Sequence, residues 1–122
     1  MKIYVATQKG ERKVQNEDRV VLNQSILSVG IHECECTEGF VAVADGVGGN
    51  NAGAVASQFV AEELGKCDHT MEDLTEINRK LIERSRTDDA LAGMATTLTL
   101  VDFTEDSAKI TYVGNTRVYA VV

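Results

Sequence analysis

Asp45 ends an apolar run, Val41-Ala-Val-Ala44, and opens into Gly46-Val-Gly-Gly49 and Asn50-Asn51. A carboxylate at the end of a buried strand is costly to desolvate unless something opposite compensates it. Read alone, Asp-Gly is turn chemistry. Glycines ahead of a helix also suit an anion, because exposed backbone amides point at it. This stretch, however, carries no lysine and lacks the spacing of a P-loop or a dinucleotide fingerprint, and Asp45 would repel a phosphate. A hard divalent cation meets both objections. It takes carboxylate oxygens, backbone carbonyls and water, and a glycine at 46 lets a main-chain carbonyl come close.

A second acidic cluster, Asn16-Glu17-Asp18, stands at the mouth of another strand. Adjacent side chains of an extended chain point to opposite faces, so one of Glu17 and Asp18 can face an ion while the other orients water or a ligand. Alone, the triplet reads as a polar loop. Arg12 and Lys13 lie just before it, and either can pair with a phosphate oxygen. Alone, each reads as a surface charge.

The elements that must position these residues follow from periodicity. Residues 2–7 and 18–23 read as short strands, and 25–31 and 39–45 as two more around a polar tip at 32–38. From Asn51 the apolar positions Ala52, Val55, Ala56, Phe59, Val60 and Leu64 recur at three and four, giving a helix capped by Asn51 and stopped at Gly65. The glycines therefore form a strand-to-helix turn. A second helix starts at Thr70, with Asp73 as capping-box partner, and buries Leu74, Ile77 and Leu81; its charges from Glu72 to Arg86 form a solvated face. After RTDDALAGM the period returns to two, and Thr97–Val101, KITYVG and NTRVYAVV read as a meander running to the last residue.

Composition narrows the function classes. The 122 residues suit one small domain. With 12 basic and 19 acidic residues the net charge is −7, the reverse of a nucleic-acid-binding footprint. No apolar run reaches a membrane span and the N-terminus has no signal-peptide core, so a cytoplasmic protein is expected. Three cysteines, Cys34, Cys36 and Cys67, leave one over after any pairing, which fits a reducing compartment. His32-Glu-Cys-Glu-Cys36 invites a soft-metal reading. A structural zinc site closes with four ligands, however, and Cys67 and His69 are isolated, so the stretch reads as a hairpin tip.

Four motifs in this order, Asn16-Glu-Asp18, Val43-Ala-Asp-Gly-Val-Gly-Gly49, Gly93-Met-Ala-Thr-Thr97 and Tyr112-Val-Gly-Asn-Thr-Arg-Val-Tyr119, resemble those of type 2C metal-dependent protein serine/threonine phosphatases, the PPM family, in its bacterial forms. The resemblance covers the whole chain. It implies an α+β fold, the N-terminal half of a four-layer α-β-β-α sandwich with mostly antiparallel sheets, as a single domain over 1–122 cut at its C-terminal side. It implies two Mn2+ or Mg2+ ions in the complete site. Asp45 then corresponds to the acid bridging both metals, Gly46 to a carbonyl ligand and Glu17 to the ligand of one metal, with Asp18 supporting as a further catalytic carboxylate. The reaction implied is phosphoserine or phosphothreonine hydrolysis by a metal-activated water, on a phosphoprotein that a serine/threonine kinase has modified.

Departures from the family pattern matter as much. Counting back from Glu17, the place of the phosphate-gripping arginine is taken by Lys13, with Arg12 displaced by one. Asn115 stands where an aspartate is associated with a third metal, Ala95 replaces a usual glycine and Thr116 a usual serine. The family's other metal aspartates lie beyond Val122, so only half a site is expected and the chain alone is expected to be inactive. An apolar terminal strand, Val118–Val122, is expected to self-associate through its open edge. The alternatives are a non-catalytic regulatory or interaction module that keeps the fold and, behind it, a nucleotide-binding protein.

Overall fold

The computed structural model describes residues 1–121. Eight strands and two α-helices follow in chain order. They are β1 (Lys2–Thr7), β2 (Asp18–Leu22), β3 (Ser25–Leu27), β4 (Gly30–Glu35), β5 (Gly39–Val47), α1 (Ala52–Leu64), α2 (Met71–Ser85), β6 (Ala95–Thr96), β7 (Leu98–Phe103) and β8 (Ala108–Val113). One sheet runs β3-β2-β5-β7-β8, with β6 on the far end of β5; β1 and β4 form a separate two-stranded sheet. Every pairing is antiparallel.

Alternation along β5 explains the layers. Phe40 and Ala42 turn to one face, where they pack with Val21, Leu98 and Leu100 against Ala52, Ala56, Val60, Ala61 and Leu64 of α1 and Ile77 and Leu81 of α2. Val41 turns to the other, where Val20 and Leu22 meet Val5, Ile3 and Cys34 of the small sheet. Helices, large sheet and small sheet thus make three layers among the described residues. The small sheet covers only the β2 side of its face. Val43, Ile110 and Tyr112, in line on β5 and β8, remain exposed.

The helices obey their sequence signals. The Thr70 hydroxyl accepts from the Asp73 amide at 3.0 Å, and Asp73 accepts from the Thr70 amide at 3.1 Å, completing the capping box. Arg79 pairs with Glu76 and Glu83 on the solvated face of α2. Asn51 does occupy the cap position of α1, but its side chain makes no cap hydrogen bond. Asn50 and Asn51 instead carry left-handed backbone at φ 53° and 64°, which asparagine tolerates better than most residues.

Two expectations fail. Residues 32–38 are not a hairpin tip, since His32–Glu35 belong to β4 and pair with β1 from Lys2↔Glu35 to Thr7↔Gly30. Gly30, at φ 99°, breaks the run expected over 25–31, so the chain leaves the large sheet after Leu27 and joins the small one. Cys34 and Cys36 share a face there, 4.0 Å apart at sulfur, with no third ligand. Nor is there a strand over 115–121: among the described residues β8 pairs with β7 alone, and Val122 lies outside them. The terminal strand expected to self-associate is therefore not formed over 115–121.

His69, isolated in sequence, has a structural task. It is buried between the helices and the sheet, edge-on to Phe40. Nε2 donates to the Leu64 carbonyl at 2.7 Å and Nδ1 meets Asp102 Oδ1 of β7 at 2.7 Å. No helix among the described residues is long and apolar enough to cross a membrane.

Candidate functional site

Asp45 and Asp18 are partners in the β2–β5 ladder. Both stand at the same end of the large sheet, on the face toward the small sheet, since Asp45 continues the alternation of Val41 and Val43. The register sets their side chains on the same face. Burial, the neighbouring Asp45 carboxyl and the Glu17 charge together hold the Asp18 carboxyl up to about 6, against a smaller opposing pull from Arg19. Two neighbouring carboxylates resist ionising together.

Glu17 turns the other way, toward α1. The explanation is glycine at both 46 and 53. A Cβ on Gly53 would stand 2.5 Å from Glu17 Oε2 and 2.8 Å from the Gly46 carbonyl oxygen, so both oxygens converge on the space that this missing side chain leaves. A Cβ on Gly46 would in turn run into the Gly53 carbonyl. The strand and the first turn of α1 touch backbone to backbone here, with nothing but hydrogen between them.

Backbone hydrogen bonds fix the rest. The Asp45 amide donates to Thr97 Oγ1 at 3.1 Å, and its carbonyl accepts from the Thr97 amide at 3.0 Å, so the threonine closing Gly93–Thr97 grips Asp45 on both sides. Gly46 N donates to the Glu17 carbonyl at 3.1 Å and the buried Ser57 hydroxyl to the same oxygen at 2.7 Å. Asn16 Nδ2 reaches Thr7 Oγ1 at 2.8 Å and the Ser28 carbonyl at 2.9 Å, while its Oδ1 accepts from the Asp18 amide at 3.0 Å. Lys13 Nζ is 4.0 Å from Glu17 Oε2; Arg12, also exposed, makes no ion pair among the described residues.

The donor types fit a hard cation: two neighbouring carboxyls on one face of the sheet end, and a carboxylate and a carbonyl on the α1 side, with no sulfur or imidazole. It is also sparse. Among the described residues no three His, Cys, Asp or Glu side chains converge tightly enough to hold an ion unaided. The structure brings Asp45, Asp18, Glu17, Gly46 and Lys13 to one end of the sheet and leaves Arg12 apart. Sequence reasoning missed Gly53 and Ser57, whose role depends on the helix facing the loop, and Arg19, whose guanidinium meets the carbonyls of Asn16 and Asp18.

No protein-family model matches the chain. A 2C-type phosphatase of Streptococcus pyogenes is 28% identical over 97% of this chain and 49% of its own length. Protein phosphatase PhpP of Streptococcus pneumoniae is 26% identical with the same coverage. The chain thus spans about half the length of the curated relatives it matches. Among solved structures, the serine/threonine phosphatase PstP/Ppp of Mycobacterium tuberculosis superposes with a TM-score of 0.65 at 27% identity, over 93% of this chain and 47% of that one. Stp1 of Staphylococcus aureus gives 0.69 at 25%, over 93% and 46%. In sequence and in fold, the chain matches the N-terminal half of the bacterial-type 2C (PPM) protein phosphatases.

Proposed function

We propose that this chain supplies the metal-gripping half of a serine/threonine phosphoprotein phosphatase site. The observation that carries the reading is the cradle at Gly53, where Glu17 and the Gly46 carbonyl converge at the end of the sheet that also carries the Asp18–Asp45 pair. Asp45, Glu17 and the Gly46 carbonyl would hold Mn2+ or Mg2+, with Asp18 orienting what Asp45 holds. Bound there, divalent ions supply a water of lowered pKa and neutralise charge on the phosphoryl oxygens, so no nucleophilic serine or cysteine is required. The substrate is a phosphoprotein in the cytoplasm, opposite a serine/threonine kinase. The chain alone, with so few donors, turns over poorly.

A manganese-dependent assay with p-nitrophenyl phosphate and a phosphothreonine peptide tests this at the full length of the relatives and in the 122-residue chain. Activity is expected in the longer protein, background in the chain alone, and loss in the longer protein with Asp45→Asn. An inactive longer protein that still binds a protein partner would replace this reading with a non-catalytic module.

Lys13, within 4.0 Å of Glu17, is the better placed of the two basic residues to hold the phosphate. Lys13→Ala is expected to raise KM for the phosphopeptide several-fold with little change in kcat, and Arg12→Ala to leave both unchanged. Steady-state kinetics on the longer protein decides; the reverse ranking would make Arg12 the clamp.

A further inference from the structure

Arg19 follows the acidic triplet directly, and its half-buried side chain turns back along it on the helix side of the sheet. Nη1 donates to the Asn16 carbonyl at 2.7 Å and to the Asp18 carbonyl at 2.8 Å, the two peptide oxygens that flank Glu17. Nε donates at 2.8 Å to Gln58 Oε1 on α1, and Gln58 is itself held by Glu62 at 3.0 Å. The Glu17 carbonyl between them is taken by Ser57 and Gly46. Thus all three carbonyls of Asn16-Glu17-Asp18 are anchored, two of them by one guanidinium. A planar fork with fixed donor directions can do this; an ammonium on a flexible stem cannot hold the same geometry.

We propose that Arg19 is a positioning residue for the cation site, locking the Glu17 and Asp18 backbone to α1 so that their carboxylates are presented at a fixed separation from Asp45 and the Gly46 carbonyl. The inference rests on the phosphatase reading for its purpose, but the clamp itself does not. Its sign separates it from simple charge. A positive side chain near a cation site repels the cation, so by Coulomb's law alone removing Arg19 tightens binding. Removing a positioning contact loosens it.

The test uses the 122-residue chain with Arg19→Met, which keeps bulk but removes both charge and fork, and Arg19→Lys, which keeps charge without the fork. Calorimetric titration with Mn2+ is expected to show about tenfold weaker binding for Arg19→Met, the scale typical of groups that orient ligands. Arg19→Lys should recover only a minor part of it. Amide hydrogen exchange should quicken at Asp18 and Gly46, while the amides of β7 keep their rates, which separates a local release from general loosening. Unchanged or tighter Mn2+ binding in Arg19→Met, or full recovery by lysine, would overturn the proposal. If the unsubstituted chain takes up no Mn2+, the metal reading fails by itself and exchange decides alone: faster Asp18 and Gly46 amides uphold the clamp, unchanged ones refute it.

Discussion

Gly46→Ala is expected to be the most damaging single methyl group that can be added to this chain. Its Cβ would collide with the Gly53 carbonyl oxygen, approach the Gly53 carbonyl carbon to 2.5 Å and stand 2.9 Å from the Glu17 carbonyl. All three are backbone atoms, so no rotamer change relieves the clash. Strand β5 and the start of α1 must separate, and α1 carries much of the core on that face, including the fully buried Ala56, Ala61 and Leu64. Overpacking of a well-filled interior costs typically 1–3 kcal/mol, and a clash against immobile backbone belongs at or above about 3 kcal/mol. For a domain of this size that lowers Tm by about 10 °C or more. Gly49 is the internal control: a Cβ there meets nothing within 4 Å, so Gly49→Ala should stay within about 0.5 kcal/mol. Thermal or urea unfolding of the two variants provides the comparison, and equal stabilities would mean that the helix does not seat on Gly46 as described.

What was legible in the sequence was local. The capping box of α2 lies within four residues and was readable from Thr70 and Asp73 alone. The alternation of β2, β5 and β7 announced buried strands, and an acid followed by glycines announced a special turn, because each signal repeats within a few positions. Pairings between distant segments were not legible. The alternation from Ile31 to Glu35 suits a strand as well as a polar tip, and only the arrival of β1, some thirty residues earlier, makes it a strand. In the same way Gly53 reads as an ordinary small residue on a helix until Glu17 is brought against it, and the link between His69 and Asp102 spans 33 positions. For the site, the identities of the carboxylates were readable and their grouping was not. Glu17 and Asp18 do face opposite ways, as extended backbone requires. It is Asp18, expected only to support, that stands beside Asp45, because the antiparallel register sets those two opposite each other.

That adjacency gives the cation-free chain one contribution to stability that falls as pH rises. An unfolded aspartate releases its proton near 3.8, whereas folded Asp18 retains it to about 6 because of burial and the neighbouring acids. The stability this group contributes is therefore fully present below pH 3.8 and is lost as pH rises through about 6. Solvent reaches the open side of the pair, and after screening the loss is about 1 kcal/mol. Asp18→Asn removes it, so the variant should be more stable than the parent at pH 7 without divalent ions and differ little at pH 4. Mn2+ reverses the ranking. A cation held at this end of the sheet would stabilise only the folded chain; with a dissociation constant at the weak end of oxygen-ligand sites, roughly 10⁻⁴–10⁻³ M, tenfold to hundredfold excess gives about 1–3 kcal/mol. The parent should gain this in full, Asp18→Asn less, and Asp45→Asn almost none, since Asp45 pairs with Asp18 in the ladder and directly precedes Gly46. Thermal melts at pH 4 and pH 7, each with and without Mn2+, separate the two terms. Asp45→Asn responding to Mn2+ as the parent does would remove Asp45 from the site, and an Asp18→Asn variant whose stability relative to the parent is the same at both pH values without Mn2+ would mean that its surroundings do not hold the Asp18 proton.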